Sequence, residues 1–165
     1  MASDALSKEI LKQAIVAEID GQKFYKFLAD RAQNPDAKRK LGNLAKDEVR
    51  HEALLMQVYK DIHGEEVKNL PKKGTGVLAE FFARSREKDN LSEMQYIDMA
   101  IEAELAATGY YKEAARAASG KDVQKICQMM ADEEFRHYES LKAEKEALTG
   151  NYFWFGYDEG TPMET

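Results

Sequence analysis

Six side chains able to bind a metal recur in this chain at one constant spacing. Shifted by 86 residues, residues 14–29 (AIVAEIDGQKFYKFLA) fall on residues 100–115 (AIEAELAATGYYKEAA) with seven of sixteen positions identical. The same shift lays residues 45–55 (AKDEVRHEALL) on residues 131–141 (ADEEFRHYESL) with five of eleven identical. Chance gives about one match per window. The shared positions pair Glu18 with Glu104, Tyr25 with Tyr111, Glu48 with Glu134, Arg50 with Arg136 and His51 with His137. Glu48-x-x-His51 and Glu134-x-x-His137 each set a carboxylate and an imidazole three residues apart, on one face of a helix, where both can address the same metal ions.

The elements that must position these residues read as long helices. Only Pro35, Pro71 and Pro162 interrupt the chain, and the segments between turn signals are rich in Ala, Glu, Lys, Leu and Met, the good helix formers. A first helix is expected over residues 3–33, with Asn34 as cap and Pro35 in the first turn of a second. The second runs to His63 and stops at Gly64. Asn90 or Ser92, followed three residues later by Glu93 or Gln95, offers a capping box for a third long helix over residues 91–118. Ser119-Gly120-Lys121-Asp122 turns into a fourth that ends near Thr149, before Gly150. Residues 64–90 form a long connection with a short helix near residues 77–86. A connection between parallel helices must travel a helix length, about 40 Å for about 27 residues, so the second and third long helices are parallel neighbours or diagonal. The fold class is all-α: two repeated helical hairpins joined by a long crossover form a four-helix bundle over residues 1–149, and an aromatic tail occupies residues 150–165.

Alternate steps of three and four residues, the spacing of a bundle core, put Leu11, Ala14, Glu18, Gly21, Tyr25 and Leu28 on one seam of the first helix. The second helix reads Leu41, Leu44, Glu48, His51 and Leu55; the third Ile97, Ala100, Glu104, Ala107 and Tyr111; the fourth Cys127, Met130, Glu134, His137 and Leu141. Every repeated acid and imidazole lies on an otherwise apolar seam. Four carboxylates taken out of water cost several kcal/mol each and repel one another, more than a domain stable by about 5–15 kcal/mol tolerates. Either they protonate or cations bind. Four glutamates carry four negative charges and two divalent cations neutralise them, while two neutral imidazoles add nitrogen ligands without changing the balance. The pattern therefore points to a dimetal site.

Composition narrows the rest. A chain of 165 residues predicts one domain, and 44% hydrophobic with 33% charged residues suits a soluble globule. The net charge of −6 and the lack of a Lys/Arg cluster argue against nucleic acid or an anionic membrane as partner. Residues 1–10 lack the basic-then-apolar order of a signal peptide, which makes the cytoplasm the default location. Cys127 is the single cysteine, which excludes an intrachain disulfide and any four-cysteine metal site within the chain. Carboxylates and imidazoles must hold whatever metal is bound.

A Glu from each of two helices plus Glu-x-x-His from each of the other two resembles the ferritin-like di-iron carboxylate superfamily. The helix lengths, the crossover and the stretch from Glu18 to Tyr25 resemble its rubrerythrin group, over roughly residues 8–148. The resemblance implies a ferritin-like four-helix bundle with Glu18, Glu48, His51, Glu104, Glu134 and His137 as ligands of two irons. It further implies a bridging carboxylate from each half. The implied chemistry is a peroxidase or oxidase reaction against oxidative stress, the two-electron reduction of hydrogen peroxide or dioxygen. Two departures stand out. The tail lacks the four cysteines of a rubredoxin domain, so electrons are expected from an external rubredoxin-like protein or flavoprotein. Three residues after Glu104 stands Ala107, so the group's extra helix-3 carboxylate is missing; Glu102 falls on another face. Ferroxidase or iron-storage activity, and oxygenation of an organic substrate, are the rival functions; manganese or zinc would also suit the ligands.

The neighbours of the ligands carry further expectations. Asp47 and Glu133 immediately precede the ligand glutamates; one reading has Asp47 orienting His137 and Glu133 orienting His51 across the bundle, with Arg50 and Arg136 balancing charge, and the other a solvated face. Tyr25 and Tyr111 are read either as core packing or as phenols that hydrogen bond and donate protons near the metals. Cys127 reads as a small core residue and His63 as solvated. The tail Tyr152-Phe153-Trp154-Phe155-Gly156-Tyr157 is too aromatic to stay exposed and is expected to cover a bundle end or the interface of a homodimer.

Overall fold

Asn34 begins the second helix by chemistry that its neighbours dictate. Its backbone is extended (φ −70°, ψ 125°), its side chain accepts from the N–H groups of Asp36 and Ala37 at 2.9 and 3.1 Å, and Pro35 follows where no N–H is missed. Gly64 ends that helix in the left-handed conformation (φ 69°), donating its N–H to Lys60 O. Ser92 and Gln95 form the reciprocal capping box that opens the third long helix. In this computed structural model, which describes residues 2–72, 76–88 and 90–157 and side chains within residues 4–150, the elements are α1 (Ala2–Arg31), α2 (Pro35–His63), α3 (Ala79–Glu87), α4 (Glu93–Ala117) and α5 (Lys121–Tyr157).

α1 packs along α2 and α4 along α5, giving two antiparallel hairpins. Between the hairpins α1 meets α4 and α2 meets α5, so α2 and α4 stand on a diagonal. The crossover carries α3 across the outside of α1 to reach α4. No described helix is long and apolar enough to cross a membrane. The apolar interior falls into two clusters. One holds Tyr25, Leu28, Leu41, Leu44, Ile97, Ala100 and Leu141, and the other Leu11, Ile15, Leu55, Tyr111, Val123, Cys127 and Met130. The repeated acids and imidazoles lie along the helices between the two.

Two expectations are corrected. α5 does not stop before Gly150 but runs on to Tyr157. A glycine inside a helix costs about 1 kcal/mol and ends it only by entering the left-handed region; Gly64 alone among the described glycines does so. The side chains of Tyr152 to Tyr157, and all of residues 158–165, lie outside the described residues. His63 is not solvated: its ring is 1% exposed, 2.8 Å from Asp4 Oδ1 in the first turn of α1 and packed on Tyr59.

The crossover also buries a second face of α1 that the seam does not include. Phe24 packs tilted against Phe81 and Phe27 meets Phe82 edge to face, with ring centroids 6.3 and 5.5 Å apart. Asp20, 3% exposed, accepts from Gly76 N at 2.9 Å. A Cβ at Gly76 would stand 2.7 Å from Asp20 Oδ2 and 2.8 Å from Ala17 Cα, whereas one at Gly42 would meet nothing within 4 Å. Gly76→Ala is therefore expected to destabilise the protein by about 1–3 kcal/mol, about 2–4 °C in Tm per kcal/mol. Gly42→Ala, in open space in mid-helix, should gain about 0.5–1 kcal/mol; thermal denaturation of the two variants checks both.

Candidate metal centre

Each of the four long helices contributes one glutamate to the layer between the apolar clusters. α1 brings Glu18, α2 Glu48 with His51, α4 Glu104, and α5 Glu134 with His137. The glutamates are 0–2% exposed and His51 is fully buried; the His137 side chain is 13% exposed. Their donor atoms form two groups, Glu18, Glu48, His51 and Glu134, and Glu48, Glu104, Glu134 and His137, each able to offer ligand atoms within 4.8 Å of one another. Glu48 and Glu134 belong to both. The imidazoles stack with centroids 5.6 Å apart at 22°. Gly21 makes the room: a Cβ there would be 3.0 Å from Glu48 Oε2 and 2.9 Å from Leu78 Cδ1. Its sequence signal was a glycine in mid-helix on the seam.

Around this layer stand residues that hold it. His51 Nε2 is 2.8 Å from Glu133 Oε2, and His137 Nε2 is 3.1 Å from Asp47 Oδ2, so each imidazole meets an acid from the opposite hairpin and turns Nδ1 inward. Arg50 Nη2 donates to Glu133 at 2.7 Å and its Nε lies 3.6 Å from Asp47 Oδ1. Arg136 is exposed and makes no ion pair among the described residues, so one arginine serves both acids. Tyr111 donates its hydroxyl hydrogen to Glu18 Oε1, while the buried Tyr25 hydroxyl stands against Glu104, the counterpart of Glu18 in the repeat, without a well-aligned hydrogen bond. Ala107 is buried and adds no donor; Glu102 faces outward, 3.7 Å from Arg84. Cys127 is a fully buried core thiol, pushed up to about 11 by that burial.

The electrostatics follow from crowding acids in a dry layer. Burial, then Glu18 and Glu134, pushes Glu48 well above the usual carboxylate range; burial and then Glu134 do the same to Glu104. Burial alone would lower His51, but hydrogen bonds with Glu134 and Glu18 outweigh it and raise the imidazole to about 11. Burial alone would raise Glu134, but His137 and His51 bring it down to about 2. Burial also works against ionised Glu133, and Arg50 and His51 more than offset it. Burial and the nearby acids keep Tyr25 and Tyr111 firmly protonated. Without cations the layer lowers its negative charge by storing protons.

The rubrerythrin family model matches residues 9–145. The chain belongs to the rubrerythrin family. Among solved structures, a hypothetical protein from Pyrococcus furiosus is 29% identical, with 87% of this chain and 90% of that one covered and a TM-score of 0.66. No match emerged among curated proteins. A rubrerythrin domain is that of a di-iron carboxylate protein, and the donors of this chain fit such a pair of ions. Glu48 Oε1 and both Glu104 oxygens are buried without a hydrogen-bond partner among the described residues. Glu134 Oε1, 3.1 Å from His51 Nδ1, is misaligned for one. Oxygen atoms left unpaired in a dry layer carry a desolvation cost that a cation removes.

Two outcomes are expected of this rubrerythrin layer. His51, raised to about 11, carries an extra proton at neutral pH in the metal-free state, and burial and neighbouring acids favour the protonated forms of Glu48 and Glu104, so a cation must displace protons and its affinity must rise with pH, about tenfold per pH unit for each proton displaced. Zinc titration of chelated protein in weakly buffered solution with an indicator dye should show acidification. Glu133→Gln and Asp47→Asn should each weaken metal binding by about 10–100-fold, read by chelator competition. Glu133 should cost more, because its contact with His51 is the shorter and more buried one.

Proposed function

We propose that this rubrerythrin-family chain is a non-haem di-iron oxidoreductase that reduces hydrogen peroxide, or dioxygen, with electrons from an external donor. The observation that carries the reading is the buried layer of four carboxylates and two imidazoles, with oxygens left unpaired and Glu48 and Glu134 common to two donor groups. Glu18, Glu48 and His51 would hold one iron and Glu104, Glu134 and His137 the other. When bound, the pair supplies two electrons at one place, the number that reduction of one peroxide to two waters requires.

The chain's own residues do the remaining work. The apolar clusters on either side keep the layer poor in water, which strengthens every charge interaction within it. Glu133 and Asp47 fix the imidazoles in the tautomer that leaves Nδ1 free toward the layer. Reduction of peroxide also consumes two protons; Tyr25 and Tyr111 hold theirs within the layer, Tyr111 against Glu18 Oε1. His137 is the most exposed of the six donors, so a small oxidant meets the layer from that side. An external rubredoxin-like protein or flavoprotein would return the electrons, and the chain is proposed to act as a homodimer.

Anaerobic loading with ferrous iron followed by stopped-flow mixing with peroxide tests the reading. The expected result is about two irons per chain, oxidised much faster by peroxide than free ferrous iron is. Oxidation no faster than that of free iron would sink it. Size exclusion separates the ferroxidase rival, since a storage cage needs about 24 or 12 chains and the proposed function needs no more than two.

A further inference from the structure

The repeat supplies an internal comparison, because the two imidazoles ought to have the same outer support and do not. Asp47 answers to Glu133 and Arg50 to Arg136 at the offset of 86 residues. On the His51 side the support is complete. Glu133 is 17% exposed, and its Oε2 meets both His51 Nε2 at 2.8 Å and Arg50 Nη2 at 2.7 Å. The guanidinium, reaching from α2 to α5, pins the very oxygen that orients the imidazole. On the His137 side the acid is Asp47, one methylene shorter and 39% exposed, 3.1 Å from His137 Nε2. Arg136, the residue that would pin it by analogy, is exposed and makes no ion pair among the described residues. Asp47 has only the far edge of Arg50, with Nε at 3.6 Å.

A ligand already held in one orientation loses less freedom on meeting a cation than one that must be ordered first, and outer contacts of this kind are worth about 10–100-fold in metal affinity. Repulsion between neighbouring cations weakens the second ion wherever it goes; the outer contacts decide which end fills first. We propose that the layer loads in a fixed order, first at Glu18, Glu48 and His51 and then at Glu104, Glu134 and His137, and that Arg50 is the positioning residue that sets this order. The proposal rests on the di-iron reading above. The second cation, beside the more exposed imidazole, is the exchangeable one. The open end can therefore lose or swap its ion while the closed end keeps its own.

Zinc titrated into the full metal-free chain, with isotope-labelled histidine rings followed by NMR, reads the order directly, since the chain has three histidines and His63 lies outside the layer. The ring signals of His51 are expected to move with the first equivalent and those of His137 with the second, and a chelator should then strip the His137 end first. The two dissociation constants, from chelator competition, should differ by about tenfold or more. Arg50→Gln should weaken the first site more than the second, so that the gap narrows and both imidazoles respond together. Arg50→Lys, a point charge in place of a fork, should fall between. Arg136→Gln, the counterpart in the repeat, should leave order and gap unchanged. His137 responding before His51, both responding together in the wild type, or Arg136→Gln altering the order as much as Arg50→Gln, overturns the assignment and leaves the di-iron reading standing. A chain that takes up fewer than two zincs overturns both.

Discussion

Four glutamates share a layer from which water is excluded, and the rest of the structure answers to that fact. Carboxylates at such spacing cannot all remain ionised without compensation, because desolvation and mutual repulsion together exceed the stability of a small domain. Every neighbouring feature reduces that cost. Two imidazoles enter on the same helix faces as Glu48 and Glu134. Acids from the opposite hairpin hold their outer nitrogens, and a glycine on α1 clears space for Glu48. The apolar clusters above and below keep the helices in register while the layer itself adds little favourable packing. A bundle with hydrophobic residues at these six positions would be simpler to fold, so the retained acids are explained by what they bind.

Much of this was legible in the residues because it is periodic. A constant offset of 86 residues joined two windows, and steps of three and four put Glu18, Glu48, His51, Glu104, Glu134 and His137 on seams whose other members are buried. Caps at Asn34, Gly64 and Ser92 were legible because each rests on local backbone chemistry. What escaped depends on contacts between distant segments. The choice between Glu93 and Gln95 in the capping box was open because Glu93 instead receives the N–H groups of Gln33 and Asn34 across the bundle. The burial of Phe24 and Asp20 needed the path of the crossover, and that of His63 needed Asp4 from another helix. Gly150 misled because a glycine stops a helix by conformation, and composition does not report conformation.

The halves agree in their metal-type donors and diverge around them. Arg50 spans Glu133 and Asp47, while its counterpart Arg136 stands in solvent. Tyr111 is well aligned on Glu18, and Tyr25 less so on Glu104. The repeat pairs the six donors; it does not extend to all of their surroundings, which differ between the halves. His51 is sealed and His137 touches solvent, so the layer has a closed side and an open one even though its two donor groups are near copies.

Each donor group draws on both hairpins, since Glu134 completes the one built from Glu18, Glu48 and His51, and Glu48 completes the one built from Glu104, Glu134 and His137. Cations bound there would add cross-links between two units that are packed on shared apolar clusters but joined covalently by the crossover alone. Secreted domains of this size obtain the same restraint from cystine bridges, which a chain with one thiol cannot form. Such a cross-link is reversible: it forms and dissolves with metal supply and acidity, so the rigidity of the bundle would be set by the ionic composition around it.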